Sequence, residues 1–336
     1  MTPKAPKAPF ASPVNRARRR VVTALAAVPV LGVATMARAQ AKRLTILLTV
    51  PPGTSSDVLA RTLGEQIRTR MDRQVVVESK PGGGGAVAVQ HLKQFEADGS
   101  TLLMAPSSAI SLLPMFSKKP PFDSDKDLTP VVNCAAAPHG ITVNSSLGIG
   151  TFAEFIEQMR KNAKLGSIGT PSPAGLASLL VYQIRKSLNV DAQHVPYKGG
   201  SPLLADLLGG QIPASASIMP DYLADHRAGK LRILAIASEA RSPLAPDIPT
   251  FTELGHPSFV AVTSFGLFAK FGTAPAIVNE YAAAFSAALA VPSVVQRLHQ
   301  MGLEPLGGNA ADYGAKLSAE RTRWTPLIRE TGMTID

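Results

Sequence analysis

The sequence predicts an α/β protein built as two lobes, each a sheet with helices on its faces. Three observations point there. Apolar runs such as residues 44–50 are hydrophobic almost throughout, as strands buried on both faces are. Such runs are followed by a polar loop and then by apolar residues at helical spacing, the rhythm of a mainly parallel sheet covered by helices. At 336 residues the chain is long enough for two domains.

The elements follow in order. The strand over 44–50 ends at Pro51-Pro52-Gly53, and Val58, Leu59, Leu63 and Ile67 then repeat at helical spacing, with Ser55, Ser56 and Asp57 offering N-cap oxygens. Val75-Val76-Val77 is a second strand, followed by the glycine run 82–85 and a helix to Gln94. A third strand over 101–105 leads through Pro106-Ser107-Ser108 into a helix over 110–116. A second lobe begins near Ser145. There Phe152, Phe155, Ile156 and Met159 mark a helix, Ser167-Ile168-Gly169 a strand, and 176–184 a helix after a Pro/Gly-rich loop. Helices over 203–208 and 222–228 alternate with strands over 213–217 and 231–237; an irregular stretch precedes a strand over 265–269, and the tail is helical over 274–289, 294–301 and 310–328.

The N-terminus reads as a signal peptide. Arg16, Arg18, Arg19 and Arg20 precede a short apolar run to Met36, and Ala37-Arg38-Ala39 supplies small residues for cleavage after Ala39. Pro29 and Gly32 interrupt the run, which is short for a bilayer span. Paired arginines admit the twin-arginine route beside the general one, although Val21-Val22-Thr23 does not complete that pattern. Residues 1–39 hold seven Lys and Arg and no acid, so their removal lowers the net charge from +10 to +3. That balance leaves no broad basic face for nucleic acid. No cysteine stands near the cleavage point for a lipid anchor, and Cys134, the single cysteine, cannot form an internal disulfide. A soluble periplasmic product without stable membrane insertion is expected.

Catalytic and cofactor signals are weak. The glycine run 82–85 lacks a following Lys-Ser or Lys-Thr, and Val87 stands where a dinucleotide fingerprint needs its third glycine, so it reads as a flexible turn. There is no G-x-S-x-G elbow. The six histidines are scattered, without metal-ligand spacing. No cofactor, metal or catalytic residue is expected; a hydrolase using His194 is the enzyme alternative. The loops after the strands stand out instead: Gly53-Thr54-Ser55-Ser56, Pro106-Ser107-Ser108-Ala109 and Thr170-Pro171-Ser172-Pro173-Ala174-Gly175. Each is small, hydroxyl-bearing and placed before a helix, so together they suit an anion cleft at the carboxyl ends of the strands. Each alone reads better as an ordinary N-cap, and Asp57 suits a helix start better than a carboxylate site.

Seven segments resemble one family. They are Val50-Pro51-Pro52-Gly53-Thr54-Ser55-Ser56-Asp57, Glu78-Ser79-Lys80-Pro81-Gly82, Asp98-Gly99-Ser100-Thr101-Leu102-Leu103, His194-Val195-Pro196-Tyr197-Lys198-Gly199, Asp206-Leu207-Leu208-Gly209-Gly210-Gln211, Ala228-Gly229-Lys230-Leu231-Arg232 and Pro246-Asp247-Ile248-Pro249-Thr250. In order and spacing they are similar to the Bug (TctC-like) proteins, the periplasmic solute-binding components of tripartite tricarboxylate transporters. The resemblance implies a type II-like two-lobed binding fold. Residues 40–144 with 264–336 would form one lobe and 145–263 the other, with hinge crossovers near Asn144 and Thr263 and the C-terminal helices back on the first lobe. It also implies capture of a small carboxylate by lobe closure and its delivery to membrane permease subunits; a binding protein that feeds a signalling receptor is the alternative. By motif, the ligand residues would be Gly53, Thr54, Ser55, Ser107 and Ser108, facing Pro171, Ser172, Gly175, Ser217 and Met219.

Three departures from the family pattern matter. Thr54 replaces a usual glycine, and Pro171 and Pro173 stiffen the third loop while lacking N–H donors. Ser217 stands where an aspartate is common, which removes a partner for a ligand amine. The expected ligand is therefore a dicarboxylate, tricarboxylate or aromatic acid rather than an amino acid.

Overall fold

The computed structural model describes residues 1–2 and 43–335, so the signal-peptide reading lies outside the described residues. Strand β1 (Arg43–Leu48) buries Leu44, Ile46, Leu47 and Leu48 completely. It pairs in parallel with β2 (Gln74–Ser79) on one side and β3 (Thr101–Pro106) on the other. The connections run through helices α1 (Ser55–Met71) and α2 (Ala86–Leu92). Leu59, Leu63 and Ile67 of α1 join the same apolar cluster as Leu44, Ile46 and Leu102, which is why the helical spacing in the sequence coincides with burial. After β3 the helix expected over 110–116 is divided: α3 (Ser107–Ser111) is followed by a 3-10 turn over Leu113–Phe116, with Pro114 in that turn, and then by α4 (Ser124–Asp127).

The strand that organises the sheet was not legible beforehand. β4 (Leu128–Asn144) is a seventeen-residue strand containing Pro130 and Pro138. Over 128–138 it pairs antiparallel with β9 (Val262–Lys270), and over 139–144 with β7 (Ala214–Ile218) and β8 (Leu231–Ile236). A register shift between Pro130 and Val132 falls where an ideal ladder would reject a proline, and a second lies between Asn133 and Ala135. The strand order is β2-β1-β3-β9-β4-β7-β5-β6, with β8 and β10 (Glu304–Gly307) also paired to β4; here β5 is Ser167–Thr170 and β6 is Gln193–Pro196. The mainly parallel sheet expected from the sequence is thus corrected. Pairing is parallel among β1, β2 and β3 and among β5, β6 and β7, but every pairing of β4 and β9 is antiparallel.

Helices α5 (Phe152–Lys161) and α6 (Leu176–Leu188) bury Phe155, Ile156, Leu179 and Leu180 with Ile168 of β5 and Ala216 of β7. A capping box at Thr151 and Glu154 starts α5. Short helices α7 (Gly200–Leu208) and α8 (Leu223–Arg227) flank β7. Helices α9 (Pro275–Leu289) and α10 (Pro292–Gln300) pack in the cluster of β1 and β3. The last helix, α11 (Ala310–Thr331), divides its buried face. Tyr313 and Leu317 join Phe268 and Leu103, whereas Trp324 and Ile328 join Phe155 and Leu180. Among the described residues no single helix is long and apolar enough to cross a membrane.

Candidate functional site

The loop after β1 is held from within. Gly53, at φ 81, occupies the left-handed region that glycine enters without strain, and its N–H donates to Asp57 Oδ2 at 3.0 Å. Arg61 Nε donates to Asp57 Oδ1 at 2.9 Å. Burial raises the Asp57 carboxyl, but the Arg61 and Gly53 hydrogen bonds outweigh it and hold the pKa below the usual value. Asp57 is therefore a structural clamp, as a negative group near a helix start should be. The N-cap reading of Ser55, Ser56 and Asp57 is corrected: all three lie inside α1, and Thr54 is the N-cap, its hydroxyl donating back to Pro51 O at 3.0 Å.

Ser55 reaches furthest. Its hydroxyl donates to Asp221 Oδ1 at 3.2 Å, and Ser217 Oγ donates to Asp221 Oδ2 at 3.2 Å. Two predicted ligand residues, one from the β1 loop and one from the end of β7, thus meet on a single carboxylate that sequence reasoning missed. Asp221 lies in a 3-10 turn, Met219–Asp221, directly after β7, and Met219 itself is buried. Desolvation pushes the Asp221 carboxyl up to about 6, with the two serine bonds pulling the other way. An acid is thus present four residues after Ser217 and hydrogen-bonded to it.

In the second loop, Ser107 Oγ donates to Glu320 Oε1 at 3.1 Å and accepts from Ser264 N at 3.3 Å, while Ser111 Oγ donates to Glu320 Oε2 at 2.8 Å. Burial raises the Glu320 pKa, opposed by those serine bonds. The Ser107 hydroxyl is committed to the fold, and half-buried Ser108 stands beside it at the start of α3. Glu320 comes from α11, far along the chain, and no local signal in the sequence marks it. The glycine run completes this corner. Gly85 has φ +115, and a Cβ there would lie 3.3 Å from both Ala109 and the Thr49 side chain. Gly85 thus packs against Thr49 and the second loop, while Gly82, Gly83 and Gly84 are exposed.

In the third loop, Thr170 Oγ1 donates to Ser172 O at 2.8 Å and lies 2.6 Å from His194 Nε2. Ser172 Oγ donates to Ala174 O, and Gly175 N donates to Ser178 Oγ at 3.1 Å. Pro171 O accepts from Gly199 N at 2.9 Å. The hydrogen bonds described for Pro171, Ser172 and Gly175 thus remain within this loop and its neighbours. Elsewhere, a surface depression of about 670 Å³ is lined by Arg227, Pro292, Gln296 and His299 and includes none of the predicted residues.

A curled α/β sheet whose central strand serves both halves, with hydroxyl-bearing loops that meet through Asp221, is the architecture of a two-lobed solute-binding protein. Residues 59–333 match the tripartite tricarboxylate transporter family receptor, and the chain belongs to that family, which is one of periplasmic solute-binding proteins and not of enzymes. Protein BugT of Bordetella pertussis is 32% identical over 299 residues, covering 87% of this chain and 90% of its own. The periplasmic binding protein BugD superposes with a TM-score of 0.80 at 26% identity, covering 87% of this chain and 98% of its own. An R. palustris protein solved with adipate superposes with a TM-score of 0.82 at 25% identity, over 87% and 98% of the two chains.

Proposed function

We propose that this chain is exported, cleaved near Ala39, and captures a small carboxylate in the periplasm for delivery to the membrane subunits of a tripartite tricarboxylate-type transporter. The lobes are 40–144 with 264–336, and 145–263. The first crossover runs along the last part of β4, which exchanges β9 for β7 and β8 over 138–140 before it ends at Asn144, and the second enters β9 near Thr263. The single observation that carries the reading is the convergence of Ser55 and Ser217 on Asp221, which joins loops 166 residues apart in sequence. The adipate bound to a family neighbour supports the ligand class.

The mechanism is two-state closure. The open form exposes both loop sets, and a ligand that bridges them favours the closed form by its differential contacts. A carboxylate that leaves water must regain hydrogen bonds. The backbone N–H groups at the starts of α1 and α3 are suited to supply them, since the hydroxyls of Thr54 and Ser107 are already committed. At micromolar affinity the net gain is about 8 kcal/mol. Thermal unfolding of the purified protein against a panel of mono-, di- and tricarboxylates, aromatic acids, amino acids and sugars tests the reading, because a ligand of the native state raises Tm. The expected result is a rise with one class of carboxylate. A rise with sugars alone, or with nothing, would overturn it.

A further inference from the structure

Asp221 is an acid without a basic partner. The hydrogen bonds described for its carboxylate come from the hydroxyls of Ser55 and Ser217, and none of the ion pairs among the described residues includes it. Its Oδ2 also lies 3.4 Å from where a Cβ on Gly200 would stand, so the start of α7 is within ordinary contact distance of it. Desolvation pushes its carboxyl up to about 6, which still leaves it ionised at neutral pH. A partly buried anion of this kind gains most from a cation brought to it.

The directions of the hydrogen bonds sharpen the point. An ionised carboxylate only accepts, so both serines must spend their single hydrogen on Asp221. What remains available around Asp221 is then a set of acceptors: free carboxylate lone pairs and the lone pairs of Ser55 Oγ and Ser217 Oγ. Three acceptors drawn from the two facing loops match the three N–H donors of an ammonium group. A second ligand carboxylate placed against Asp221 would meet like charge, and neither serine hydroxyl would have a hydrogen left to donate to it.

We propose that Asp221 is the specificity-determining residue of the cleft, binding an ammonium group at one end of a carboxylate ligand and excluding ligands that place a second carboxylate there. The inference rests on the carboxylate reading above and narrows it to acids that also carry an amine. Because the ammonium would bridge Ser55 and Ser217 through Asp221, the same group fixes ligand class and holds the facing loops together.

The test is calorimetric titration at pH 7.5 with pairs of linear acids of matched length, one member ending in two carboxylates and the other in a carboxylate and an ammonium. Adipate with 6-aminohexanoate is one pair, and shorter pairs complete the series. Both the wild-type protein and Asp221→Asn are titrated, and Ser55→Ala serves as a milder second variant if the first folds poorly. In the wild type the amino member of the best pair should bind at least about tenfold more tightly, a difference of about 1.4 kcal/mol. Asp221→Asn should weaken that member at least about fivefold and leave the diacid equal or tighter, which shrinks the ratio. Ser55→Ala should shift it in the same direction by less. A wild-type preference for the diacid, or a ratio unchanged by both variants, overturns the proposal while the carboxylate reading stands. If neither series binds and monocarboxylates also fail, both fall together.

Discussion

His139 Nε2 lies 2.7 Å from Thr263 Oγ1, a buried contact that joins β4 to β9 beside the point where β4 changes partners. The other ring nitrogen, Nδ1, has no hydrogen-bond partner among the described residues. Burial lowers the His139 pKa to about 4, so the ring is neutral in the folded protein at physiological pH. Unfolding restores the ordinary value of 6.5, and the unfolded chain then binds more protons between those limits. His139 therefore contributes no penalty above about pH 6.5 and destabilises progressively as pH falls towards 4. Urea midpoints at pH 7.5 and pH 5 should show this slope, and His139→Gln should reduce it.

Asp221 works in the opposite direction over much of the same range. Its folded pKa, about 6, exceeds the ordinary 3.8, so the folded form binds more protons and stability falls as pH rises through that interval. Asp221→Asn should raise the ligand-free Tm at pH 7.5 relative to wild type, with the difference shrinking towards pH 4. A difference independent of pH would show that this carboxyl is not held against burial.

Gly266 in β9 has no room for a side chain, since a Cβ there would collide with the ring and hydroxyl of Tyr313 from α11. Tyr313 is itself buried against Phe268. Gly266→Ala should destabilise the protein by about 1–3 kcal/mol through forced repacking, read as a lower urea midpoint at unchanged slope.

Glu320 receives the hydroxyls of Ser107 and Ser111, and its removal takes the acceptor from Ser107, whereas Ser111 keeps its bond to Ser107 O. Glu320→Ala should cost about 1–3 kcal/mol and weaken ligand binding through disorder at α3, whereas Glu320→Gln, which keeps an acceptor, should retain most of both. Denaturant titration and calorimetry on the two variants check this together.

How much was readable depends on how local the signal is. β1, β2 and β3 were legible because each is a compact apolar run closed by proline, glycine or serine. α1 was legible because Leu59, Leu63 and Ile67 share one face. β4 escaped because Pro130, Pro138 and Gly140 imitate loop composition; Pro130 is accommodated by a register shift against β9, and Gly140 pairs instead with β7 and β8. Ser55 and Ser217 stand out in the sequence as candidate ligand residues, yet what joins them is Asp221, whose significance depends on a partner 166 residues away. Glu320 lies in a long charged helix, where nothing local distinguishes an acid that bonds a distant loop from one in solvent.

The central claim is capture of a carboxylate by the cleft, and calorimetric titration of the purified protein with the acid giving the largest thermal shift addresses it most directly. The account predicts one saturable site per chain at micromolar affinity or tighter, weakened by Glu320→Ala and Asp57→Ala, which loosen the second and first loops. Absence of saturable heat, or binding indifferent to both substitutions, would contradict it.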